Sequence, residues 1–109
     1  MTSVAQLSDI ALSLPEVQEG THFRLRAFRV GDAVFVVVQS DAHVVLHVDP
    51  ETAARFAAAD PAVEQTYRGS TLIGVRVHLA PLSEQHLREL VVAAWRHRAP
   101  KRLRRQHQP

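Results

Sequence analysis

LPEVQEGTHFRLRAFRVGDAVFVVV, residues 14–38, passes from a helix stop through a polar segment into two apolar runs divided by a tight turn. Pro15 cannot continue a helix, because its ring lacks the N–H and clashes with the preceding turn. Upstream, Val4, Leu7, Ile10, Ala11 and Leu14 recur at helical spacing, and Ser3 with Gln6 fits a capping box, so a first helix is expected to end here. Glu16 to Leu25 shows no apolar period and reads as a loop holding several polar groups just before the sheet. Arg26 to Val30 then reads as a strand and Gly31-Asp32 as a hairpin turn. Ala33 to Gln39, almost wholly apolar, reads as a central strand covered on both faces.

Beyond this stretch, Ser40-Asp41-Ala42 turns the chain into His43 to Val48. There Val44, Leu46 and Val48 share one face, and His43, Val45 and His47 the other. Asp49-Pro50-Glu51 opens a second helix with an N-cap carboxylate, proline in the first turn and an acid beside the positive end of the dipole. That helix presents Ala53, Phe56 and Ala57 and ends near Asp60-Pro61. Val63 to Tyr67 and Thr71 to Leu79 read as strands around the turn Arg68-Gly69-Ser70. Ser83 caps the last helix, whose stripe is Leu87, Leu90, Val91, Ala94 and Trp95, and Ala99-Pro100 ends it. The expected order is α-β-β-β-α-β-β-α. This is a two-layer α+β domain, an antiparallel sheet with helices mainly on one face.

Composition narrows the function classes. At 109 residues and 46% hydrophobic, the chain makes one modest core: residues 1–98 form the expected domain and residues 99–109 a basic C-terminal tail. No apolar run approaches the ~18 residues of a membrane span, and the first residues lack a signal peptide's basic start and cleavage site. With no cysteine there is no disulfide framework, thiol nucleophile or zinc–thiolate site, and the cytoplasm is the expected compartment. The net charge of +2 hides an uneven spread. Residues 96–109 carry six bases and no acid, which leaves seven bases against all eleven acids in the rest. A mildly acidic body with a basic end points to phosphate or an acidic partner at that end.

The ordered set Leu14-Pro15-x-Val17-x-Glu19-x-Thr21-His22-Phe23, Ala27-Phe28-Arg29-Val30, Val34-Phe35, Asp49-Pro50-Glu51, Ala94-Trp95-Arg96 and Ala99-Pro100-Lys101 resembles the MmcQ/YjbR family over about residues 3–103. The resemblance implies a compact YjbR-like or CyaY-like α+β fold and a DNA-binding, non-enzymatic protein. Family members often carry Trp early in the last strand, where this chain has Leu72-Ile73-Gly74.

On the DNA reading, Arg96, Arg98, Lys101, Arg102, Arg104 and Arg105 are the expected phosphate contacts, non-specific because nothing beside them reads bases. The plainer alternative for this run is a solvated helix end whose cations suit the dipole. A second reading is a ligand pocket around Glu19, Thr21, His22 and Arg24; its plain alternative is a loop bonded to itself and anchored in the core by Phe23. A third is a protein-partner or homodimer surface on the sheet, flanked by His43, Val45, His47, Arg76 and His78. No metal or other cofactor is expected: His43 and His47 are four strand residues apart, roughly 13 Å, too far for one ion. The chain lacks G-x-S-x-G, Walker A and G-x-G-x-x-G sequences, and catalysis is not expected.

Overall fold

The computed structural model describes residues 2–106. Its elements are α1 (Val4–Leu12), β1 (Val17–His22), β2 (Leu25–Val30), β3 (Ala33–Val38), β4 (His43–Leu46), α2 (Pro50–Ala59), β5 (Val63–Arg68), β6 (Thr71–His78), α3 (Glu84–Arg98) and α4 (Lys101–Gln106). The six strands form one antiparallel sheet in the order β1-β2-β3-β4-β6-β5. The α+β class and antiparallel sheet match the expectation, with two elements added. No helix among the described residues is long and apolar enough to cross a membrane.

The first addition is β1, in the segment read as a loop. Val17–His22 pairs residue for residue with Val30–Leu25. It is an edge strand whose residues are all exposed or half-exposed, so no apolar alternation marks it in the sequence. The turn to β2 is made by Phe23 (φ 50°) and Arg24 (φ 69°) alone, both left-handed, the backbone hand that matches strand twist in a two-residue hairpin. The second addition is α4. Pro100 stops α3 and starts α4, its carbonyl accepting the Leu103 and Arg104 N–H groups. Leu103 is only 1% exposed, so the basic run folds back onto the body.

All four helices put side chains into one core, where Leu7, Phe56, Leu87, Trp95 and Leu103 meet Phe28, Phe35 and Leu46 of the sheet. A bulge shapes that contact: Phe28 opposes Val36 and Arg29 opposes Val34, so Phe35 is the extra residue. Both Phe35 and Val36 therefore enter the core. The opposite sheet face holds a smaller cluster, Ala27, Val34, Val37 and Val45 with Ile73, to which no helix residue belongs.

Gly74 sets how closely β6 approaches β4. It has φ 152°, and a Cβ there would lie 2.0 Å from the Leu46 carbonyl oxygen. Only glycine admits that approach. Asp49, Ser83 and Ser3 cap α2, α3 and α1 as their sequence positions predict.

Candidate functional site

The six C-terminal bases divide by what they touch. The Arg98 Nε donates to the Val34 carbonyl at 3.1 Å, tying the end of α3 to β3. Arg102 grips both Glu16 carboxylate oxygens, at 2.8 and 3.1 Å. That hydrogen-bonded pairing raises the Arg102 pKa and lowers the Glu16 pKa. Arg96 and Arg104 instead line a groove of about 860 Å³ with Arg55, Arg88 and His97. Lys101 and Arg105 are exposed and stand outside that lining.

Three elements build the groove. Arg55 comes from α2, Arg88, Arg96 and His97 from α3, and Arg104 from α4. On α3, Arg88, Val92 and Arg96 follow at spacings of four and so share one stripe, beside the apolar stripe that enters the core. None of the four arginines makes an ion pair among the described residues. The two acids in the lining have other partners. Asp49 caps α2, accepting from the Thr52 N–H at 3.1 Å and the Thr52 hydroxyl at 2.6 Å, and the hydroxyl bond leads in lowering its pKa. Glu89 accepts from the Gln85 amide at 3.2 Å. The groove lining thus holds four arginines against two acids that already have other partners.

The proposed ligand loop does not converge. Because residues 17–22 are a strand, Glu19 and Thr21 lie on one face and His22 on the other. Glu19 is bound to Arg26 at 2.9 Å, which lowers its pKa. The Thr21 carbonyl accepts from Arg29 at 3.0 Å, and Arg24 sits in the turn. Phe23 does not anchor a core: the hairpin turn carries it outward, 81% exposed, with its ring edge-on to His22 at 4.4 Å.

The open sheet face offers no broad apolar surface either. Ala27, Val34, Val37 and Val45 are all buried. Arg76, which opposes Val45 across the ladder, reaches from Glu64 on one side to Gln39 on the other, at 3.1 and 2.9 Å. His43 and His78 stack beside it, 4.8 Å between ring centres. Among the described residues no group of three or more His, Cys, Asp or Glu could hold a metal ion.

Two further features escaped the sequence reading. His86 Nδ1 meets Asp60 Oδ2 at 2.7 Å, joining the start of α3 to the end of α2 and lowering the Asp60 pKa. His47 is partly buried, and burial first, then the charges of Arg98, His22, Arg68 and His97, push its pKa down to about 4. His47 is thus neutral at pH 7.

Residues 12–97 match the model of the family described as YjbR. Among solved structures the chain resembles the crystal structure of Deinococcus radiodurans protein DR2400, a DUF419 domain, with TM-score 0.74 and 22% identity over 97% of this chain and 88% of that one. At that identity the likeness is one of fold. No curated protein matches the chain.

Proposed function

The chain belongs to the YjbR family, and from the groove on its helical side we propose that it binds nucleic acid by seating backbone phosphates between α2, α3 and α4, without catalysing a reaction. The carrying observation is the set Arg55, Arg88, Arg96 and Arg104 around one groove with no ion pair among the described residues. Like charges brought together repel unless an anion sits among them, and a guanidinium fork matches two phosphate oxygens at once. The neighbouring bases extend the field. Arg98 and Lys101 follow the groove residues Arg96 and His97 along the chain, and the Arg68 and Arg98 charges both act on His47. Such contacts position a phosphate backbone and carry no base identity, so binding is non-specific and weakens steeply with salt.

Removing everything after Arg98 is a poor test, because it also strips Leu103 from the core. The double variant Arg96→Ala/Arg104→Ala is cleaner. Anisotropy titrations of labelled duplex DNA at several salt concentrations should show weaker binding, with the log–log salt slope smaller by about 0.9 per lost contact. An unchanged slope and affinity would remove the groove from the account.

A further inference from the structure

We infer that the preferred nucleic acid is a single strand, and that Phe23 at the tip of the β1–β2 hairpin stacks on one of its unpaired bases; this rests on the groove reading above. Among the described residues four large apolar side chains are exposed: Leu12, Phe23, Leu25 and Tyr67. Three of them lie at hairpin ends, and Phe23 is by far the most exposed, at 81%. Its backbone is costly to keep. Phe23 and Arg24 both hold positive φ, where Asn-Gly is the usual choice and a bulky side chain is disfavoured. A hairpin that only had to turn gains nothing from Phe-Arg there. Strain kept at an exposed aromatic marks a site that uses the ring. His22, edge-on at 4.4 Å, steadies that ring from one side.

The tip carries charge of its own: Arg24 is the second residue of its turn, and the Arg29 guanidinium donates to the Thr21 carbonyl at 3.0 Å. His97 lines the groove, and His97, Arg98, Arg68 and His22 all lie close enough to His47 to depress its basicity. The Arg98 guanidinium and the His47 backbone N–H bind neighbouring carbonyls of β3, those of Val34 and Phe35, which places His47 beside the end of α3. Arg98 at the end of α3 and Arg24 in the turn thus place charge at both the groove's end and the tip. Exposed aromatics stand beside bases in the sequence, Tyr67 next to Arg68 and Phe23 between His22 and Arg24. Bases alternating with exposed rings suit a single strand, whose bases present open faces; a duplex hides those faces in its stack. A protein partner would want a contiguous apolar patch, and the apolar cluster of the open sheet face is buried.

The test uses the whole chain and oligothymidylate of about 12 nucleotides, within the ~4–16 that such sites occupy. Phe23→Trp supplies a fluorescent ring at the tip, while Trp95 is fully buried and stays out of reach of the ligand. Oligothymidylate should quench the new ring, and an abasic oligomer with the same phosphates should bind without quenching it. Phe23→Ala should bind oligothymidylate about 5- to 150-fold more weakly, the range of one lost base stack, with its abasic-oligomer affinity and salt slope unchanged. Oligothymidylate that binds without quenching, equal affinity for Phe23→Ala and parent, or equal quenching by duplex DNA would each overturn the proposal and leave the groove standing. Failure of the parent to bind any of these ligands at low salt would overturn the groove itself.

Discussion

Arg96 and Arg98 stand two residues apart at the end of α3 and have opposite surroundings. Arg98 turns to the sheet and holds the Val34 carbonyl, while Arg96 faces the groove with no acid partner among the described residues. The same split recurs in α4, where Arg102 grips Glu16 and Arg104 lines the groove. One basic run thus serves two regions: a seam that fastens the last helices to β3 and the Pro15-Glu16 turn, and a groove wall whose arginines form no ion pair among the described residues. Charge density along a sequence does not separate these roles; the partner of each guanidinium does.

The contrast can be broken at several strengths, read as unfolding free energy. Leu103→Ala should cost the most, about 2–5 kcal/mol in urea unfolding, because it empties a buried leucine site. A midpoint equal to the parent's would detach α4 from the core. Arg98→Ala should cost about 1–2 kcal/mol by removing a charged donor from the Val34 carbonyl. The matching change at Arg96 should stay within about 0.5 kcal/mol. Comparable losses at the two positions would erase the distinction between seam and groove.

His47 lies where the two regions meet and gives a test by pH. Its pKa falls from 6.5 to about 4 on folding, so the unfolded chain takes up the proton first. Its contribution is complete above pH 6.5 and is lost as pH drops towards 4. Discounted for its partial exposure, this is about 1–2 kcal/mol. His47→Gln should flatten that acid limb in unfolding measured from pH 7 to 4, and an unaltered pH profile would show that His47 is not held neutral. The smallest effect belongs to Glu16→Gln. Its ion pair is solvent-exposed, so the melting temperature should hardly move at pH 7, and the little that moves should vanish in acid as the parent's own carboxylate protonates.

Much of the fold was legible because side-chain pattern follows burial. The stripe Leu87, Leu90, Val91, Ala94 and Trp95, the Asp49-Pro50 helix start and the apolar run of β3 each report a core contact, and each stands where it was read. β1 was not legible because backbone pairing with β2 defines it, and Gln18, Glu19 and Thr21 stay in solvent. α4 was hidden because proline both ends one helix and begins another. Phe23 misled because ring chemistry suggests burial, whereas the left-handed turn decides where the ring goes. Arg55 and Arg88 were missed because the groove gathers them from separate helices, while a charge count sees only neighbours in sequence. The four-residue steps from Arg88 through Val92 to Arg96 were the available clue.

The seam also governs the order in which the molecule forms. The Trp95 indole donates to the Pro15 carbonyl, Arg102 binds Glu16, the Gln6 amide binds Glu84 and the Thr2 hydroxyl binds the Leu79 carbonyl, all between residues near opposite ends of the sequence. The β2–β3–β4 meander needs only short turns, so its contacts form at little loop-closure cost. The long-range links must close much larger loops before they are rewarded. Docking of α1 and the Pro15-Glu16 turn against α3 and α4 is therefore expected late in folding, and the groove wall at Arg96 and Arg104 with it.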